Sequence, residues 1–135
     1  MDLRRKAIEI AFSHYGKPYR WGGNGPDDFD CSGFILDILK KTGVFPPDKD
    51  ITAHDIMRYY AGHTVKRPYL ACLAFYGTTP THITHVEMII NERAVIGANS
   101  GNINMVSVQK FDYRDDLQKI CDPYKHFYEM REKYA

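Results

Sequence analysis

Three cysteines and six histidines carry most of the nucleophilic and acid–base potential of this 135-residue chain. Cys31, Cys72 and Cys121 form no C-x-x-C pair and are odd in number, which speaks against a disulfide framework and a cysteine-based zinc site and fits a reducing compartment. Cys31 is set apart by its surroundings. It follows the stretch Tyr19 to Asp30, where Gly22, Gly23, Gly25 and Pro26 are too dense for a regular element, and it opens a segment with apolar residues at helical spacing. A cysteine in the first turn of a helix lies beside unsatisfied backbone N–H groups and the positive end of the helix dipole. That setting favours thiolate over thiol and offers donors to a developing oxyanion. The competing reading is a small core residue, because free cysteine is among the most buried residue types. An aromatic-bearing, glycine-rich loop running into the helix instead suggests an opening for ligand. A thiol nucleophile needs a base, and imidazole titrates close enough to neutrality to serve. His85 heads an apolar run read as a strand, from which its side chain can face the helix carrying Cys31.

The elements that must hold these residues are legible from periodicity and punctuation. Asp2 caps a helix running to about Tyr15, which Gly16 and Lys17-Pro18 stop. Cys31 to Thr42 is a second helix, with Phe34, Ile35, Ile38 and Leu39 on one stripe, Asp30 as N-cap and Gly43 just past its end. Thr52 and Asp55 start a short third helix through about Tyr60. The second half turns to short β-rich runs, Leu70 to Tyr76, His85 to Asn91, Arg93 to Ala98 and Met105 to Lys110, read as an antiparallel sheet with a hairpin turn at Asn91-Glu92. The tail, Tyr113 to Ala135, is charged and aromatic, with a last helix expected from about Pro123. Helices first and strands second imply a single α+β domain over residues 1–135.

Composition narrows the partners. Eighteen basic side chains against seventeen acidic ones leave a net charge of +1, so no overall field draws in nucleic acid or an anionic membrane. The N-terminal Arg4-Arg5-Lys6 is followed by no unbroken apolar stretch, and no run approaches the roughly 18 residues of a membrane span. The expectation is a chain without an export signal or anchor of its own, made in the cytoplasm. Metal catalysis finds no H-E-x-x-H and no paired cysteine ligands.

Taken together, Tyr19-Arg20-Trp21-Gly22-Gly23, Asp30-Cys31-Ser32-Gly33-Phe34 and Thr84-His85-Val86 resemble the motifs of the NlpC-type cell-wall cysteine peptidases in order, spacing and element type. The likeness runs from about Ala7 to about Ser107. It implies a papain-like α+β fold, N-terminal helices packed on a C-terminal antiparallel sheet, in which Cys31 attacks a peptide carbonyl, His85 takes the thiol proton, and water hydrolyses the acyl-enzyme without a cofactor. It also implies that Tyr19, Asp30 and Ser32 shape the site and hold the free amine of a peptidoglycan stem peptide, cut near a γ-D-glutamyl bond. A carboxylate at Asp30 suits an ammonium partner, although helix capping accounts for it equally well. Trp21 is read as packing for the loop. His14, His54, His63, His82 and His126 lack such a motif match and are read as surface or structural.

Two departures from the family pattern stand out. The polar residue, often histidine, that the family places on the strand after the base aligns with Gly97, which cannot orient an imidazole. Asn99, two residues on, is the favoured substitute, with Glu87, a water or no third group as alternatives. Cys72 stands where the family usually has an acidic residue, and both it and Cys121 are read as structural. The segments Val95 to Gly101 and Phe111 to Arg114 resemble phage and prophage members, which implies phage tail proteins as partners and delivery to the wall by a particle or another protein. Two other roles stay open: a weakly active or inactive tail or assembly component, and a cysteine amidase or acyltransferase on another substrate.

Overall fold

The computed structural model describes residues 2–101, 103–112, 114–125 and 127–128. Its first helix, α1 (Leu3–Ser13), is capped by Asp2, whose carboxylate accepts the Arg4 N–H at 3.0 Å. The second, α2 (Cys31–Lys41), is capped by Asp30, which accepts the Gly33 N–H at 2.6 Å. The third, α3 (Ala53–Tyr59), is capped by Thr52 through the Asp55 N–H at 3.2 Å, and a 3₁₀ turn at Ala61–His63 follows. Each cap satisfies an N–H with no intrahelical acceptor, an effect worth about 1 kcal/mol.

Five strands follow: β1 (Leu73–Thr79), β2 (His82–Asn91), β3 (Ala94–Ala98), β4 (Val106–Lys110) and β5 (Leu117–Cys121). They form one antiparallel sheet in the order β4-β3-β2-β1-β5. The structure departs from the sequence reading in four places. β1 starts and ends three residues later than the expected run from Leu70 to Tyr76. β2 begins at His82, so His85 lies inside the strand rather than at its head. The hairpin turn falls one residue later, on Glu92 and Arg93, because the Asn91 side chain accepts the Arg93 N–H at 2.7 Å and closes the turn itself. β5 lies in a stretch that gave no strand signal. The helix expected from about Pro123 is helical at Lys125, Phe127 and Tyr128 and otherwise falls outside the described residues, as does His126.

Strand alternation divides the core. Leu73, Phe75, Val86, Met88, Ile96 and Ala98 pack with the helices, which contribute Ala7, Ala11, Phe34, Ile35, Ile38 and Ile56. The alternate positions, Cys72, Ala74, Tyr76, Ile89 and Val95, form a smaller cluster with Phe111 and Ile120. The helical stripe read around Cys31 is thus a true core stripe from Phe34 onward, with Cys31 at its half-buried end. Residues after β5 meet the start of α1. Arg4 makes a two-pronged pair with buried Asp122 at 2.7 and 2.6 Å, and the Tyr128 hydroxyl donates to Asp2 at 2.8 Å. Among the described residues no helix is long and apolar enough to cross a membrane.

Candidate active site

Cys31 occupies the first position of α2, and what fixes it there is the loop before it. Asp30 does more than cap: one carboxylate oxygen takes the Gly33 N–H and the Ser32 hydroxyl, the latter at 3.1 Å, while the other takes the Gly22 N–H at 3.1 Å. Loop and helix are therefore tied through one side chain. Gly33 completes the join, because any Cβ there would run into the Gly23 carbonyl oxygen. Tyr19 lies close by. Burial pushes its hydroxyl up from the usual tyrosine range, and the neighbouring Cys31 and Asp30 add to the rise. The loop thus gathers Tyr19, Asp30, Cys31 and Ser32 at one helix mouth. Trp21 corrects the sequence reading: its side chain is not packed in the loop but 87% exposed, beside a cavity of about 290 Å³ bounded by Asp30, Ser32, Asp50, Thr52 and Asp55. Nothing in the sequence marked Asp50, Thr52 or Asp55 for this place. Only the fold brings them there, with Asn24 bonded to Asp50 at 3.0 Å.

The Cys31 sulfur lies 3.9 Å from the Thr84 carbonyl oxygen, which sets it beside the next residue, His85, and Cys31 is among the groups that act on the His85 imidazole. The approach differs from the one expected. His85 pairs across the ladder with Tyr76, and Glu87 with Ala74, so both stand with the smaller cluster rather than on the face that packs the α2 stripe. Helix and histidine meet only where the first turn of α2 reaches the Thr84–His85 stretch. Tyr76 lies against the imidazole, ring centroids 5.9 Å apart, and Arg114 stacks on Tyr76 at 4.5 Å.

The third position also departs from expectation. The bond to the imidazole comes from Glu87, whose Oε1 lies 2.9 Å from His85 Nε2. Asn99 points its amide elsewhere, donating to the Gly97 carbonyl at 3.1 Å and the Ser107 hydroxyl at 3.2 Å. The favoured candidate and its rival thus change places, for a reason of sheet geometry: side chains two apart on one strand share a face, whereas Asn99 lies past the end of β3. With Nε2 engaged by Glu87, Nδ1 is the ring nitrogen left for sulfur. Burial, the largest influence on His85, pulls its pKa down, but the bonds to Cys31 and Glu87 outweigh it and carry the value up to about 9. A cavity of about 320 Å³ opens beside this pair, lined by Tyr76, Glu87, Asn99, Gln109 and Arg114.

The remaining cysteines are core. Cys72 and Cys121 are fully buried, and burial pushes the Cys72 thiol up to about 12. Among the other histidines, His14 is buried with Nε2 2.7 Å from Asp37, His54 accepts the Ile83 N–H at 3.3 Å, and His82 is exposed.

Comparison with known proteins places this arrangement. The model of the NlpC/P60 family matches residues 16–121. The bifunctional muramidase/DL-endopeptidase CwlT of Bacillus subtilis is 28% identical over 120 residues, covering 87% of this chain and 36% of the relative. Dipeptidyl-peptidase 6 of Lysinibacillus sphaericus is 28% identical over 118 residues, covering 85% and 41%. The structure of NlpC1 from Trichomonas vaginalis superposes with a TM-score of 0.74 at 26% identity, covering 90% of this chain and 44% of that one. The chain thus spans less than half the length of each of these relatives. The match takes in both the cysteine helix and the histidine strand, and on that extent the chain belongs to the NlpC/P60 family.

Proposed function

We propose that this domain is a cysteine peptidase that hydrolyses peptidoglycan stem peptides near a γ-D-glutamyl bond. The observation that carries the reading is the Cys31 thiol at the first turn of α2, 3.9 Å from the Thr84 carbonyl oxygen and so beside His85, whose imidazole is bonded to the Glu87 carboxylate at 2.9 Å. The printed names of the relatives, DL-endopeptidase and dipeptidyl-peptidase, support the substrate class.

His85 takes the thiol proton, and the sulfur adds to the peptide carbonyl carbon. The oxyanion that forms is met by backbone N–H groups of the α2 first turn, which have no intrahelical acceptor. Collapse of this intermediate breaks the C–N bond, and the imidazolium returns its proton to the leaving amine. Water, deprotonated by His85, then displaces the thiolate and releases the acid. Tyr19, Asp30 and Ser32 bind the free amine of the stem peptide. Asp30 serves that role through the carboxylate oxygen that carries only the Gly22 N–H, so capping and amine binding are compatible.

Purified peptidoglycan digested with the wild type and with Cys31→Ala, followed by mass spectrometry of the fragments, tests the reading. The wild type is expected to release stem-peptide fragments and the variant none. Identical fragments from both would end the cysteine-peptidase reading, and wild-type cleavage outside the stem peptide would favour an amidase or acyl-transfer role.

A further inference from the structure

The strand position where an orienting side chain is expected is a glycine, and the space it leaves is not empty. A Cβ built on Gly97 would lie 3.0 Å from the Glu87 Cγ and 3.5 Å from its Cβ. Met88 pairs with Ile96 across the β2–β3 ladder, so Glu87 and Gly97 are neighbours on one face. Glycine at 97 is what lets the Glu87 stem lie flat against β3. Its carboxylate then meets His85 Nε2 at 2.9 Å, and it adds to the burial that pushes the nearby Tyr76 hydroxyl up from the usual tyrosine range. Glu87 is only 7% exposed, so this is a built contact and not a surface side chain resting on its neighbour. The two residues, a glycine where a polar group is expected and a buried glutamate across the ladder from it, account for each other.

We propose that Glu87 is the positioning residue of the imidazole, admitted by Gly97, and that its negative charge as well as its acceptor oxygen holds His85 as imidazolium beside Cys31. The proposal rests on the cysteine-peptidase reading for its consequence in turnover, but not for its effect on the Cys31–His85 pair. The groups facing His85 are Cys31 from α2, Tyr76 from β1 with Arg114 stacked behind it, and Glu87 on its own strand, while Tyr19 and Asp30 face Cys31 from the loop. Of these, Glu87 is the acid in direct contact with the ring. Removing its charge takes away one of the influences that hold His85 near 9, so the imidazole should lose its proton at lower pH.

Two measurements test this together. The first is the rate of Cys31 alkylation by iodoacetamide against pH, read on the Cys31 peptide by mass spectrometry, which needs no substrate and sees the pair directly. The second is kcat and KM on soluble stem-peptide fragments. In Glu87→Gln, which keeps an acceptor oxygen and loses the charge, the alkaline inflection of both profiles should fall by about one pH unit or more. In Glu87→Ala it should fall at least as far, with kcat down about 10- to 100-fold at nearly constant KM, and Glu87→Gln should recover part of that kcat. Gly97→Val, whose branched side chain takes the Glu87 stem's space, should reproduce the Glu87→Ala shift. A wild-type alkylation profile in Glu87→Gln overturns the proposal, whatever the turnover. Shifted alkylation in a protein whose wild type cuts no stem peptide would uphold Glu87 and remove the peptidase reading instead.

Discussion

Two buried carboxylates sit at opposite ends of the requirement for satisfaction, and comparing them separates a network that closes on the fold from one that opens at the candidate site. Asp122, 1% exposed, accepts both prongs of Arg4, the Tyr69 hydroxyl at 2.6 Å and the Tyr124 N–H at 2.9 Å. Every direction around it is used, and its partners lock α1 to the chain after β5. Glu87 is nearly as buried, yet its contacts lead outward: to an imidazole whose side chain is 25% exposed, and through it to a half-buried thiol. A closed network stabilises. An open one leads from a buried acid to side chains that solvent can reach. Burial of charge is common to both, so it identifies neither; the exposure of the last group in the chain of bonds does.

The contrast is sharpest for the two ends of the open network. His85→Ala should lower stem-peptide turnover per folded molecule by roughly three orders of magnitude or more, alongside the loss of stability expected when buried Glu87 is left without its ring partner. Steady-state cleavage paired with thermal unfolding checks it, and a folded variant that still turns over rapidly would assign the base elsewhere. Asp122→Ala should act on stability alone. Removing one partner of a buried pair costs about 3–5 kcal/mol, so the variant should unfold at much lower urea with turnover per folded molecule unchanged. A loss below about 1 kcal/mol would show the Arg4 cluster to be ornamental.

pH should separate the two regions more gently. Burial pulls the Asp122 pKa up, but the bonds from Arg4 and Tyr69 outweigh it and hold the group below its usual 3.8. A depressed folded pKa contributes stability that is present above 3.8 and is lost as pH falls through the lower, folded value. His85 has the opposite sign. Raised from 6.5 to about 9, it contributes stability fully present below 6.5 and lost as pH rises through about 9. Unfolding midpoints across pH should therefore lose their acid shoulder in Asp122→Asn and their alkaline shoulder in Glu87→Gln; the same shoulder vanishing in both would mean that the regions are coupled. The smallest effect is expected at Asn99. Its amide serves Gly97 and Ser107, so Asn99→Ala should change kcat within about twofold, the scale of a peripheral substitution. A tenfold loss would return the orienting role to the amide.

What could be read from the sequence follows from how far each interaction reaches. The caps at Asp2, Asp30 and Thr52 are settled within three residues, and all three stand where spacing put them. The boundary errors have equally local causes that propensity does not weigh, as with Asn91 closing the hairpin through its own side chain. β5 escaped because Leu117-Gln118-Lys119-Ile120-Cys121 is a short edge strand with two polar residues, and its place is set by pairing with β1 some forty residues away. The partner of His85 was hidden for a similar reason. Glu87 could be named from strand alternation, but choosing it over Asn99 required knowing that Gly97 lies across the ladder and leaves it room. A missing side chain on one strand leaves the space that a buried one fills on its neighbour.

The contact between Tyr128 and Asp2 has a consequence for the start of α1. The hydroxyl of Tyr128 donates to the Asp2 carboxylate and accepts the Leu3 N–H at 3.1 Å, so one residue serves both the cap and an amide of the first turn. The first turn of α1 is therefore latched by a side chain 125 residues away in sequence, and local fraying there depends on that distant segment staying docked.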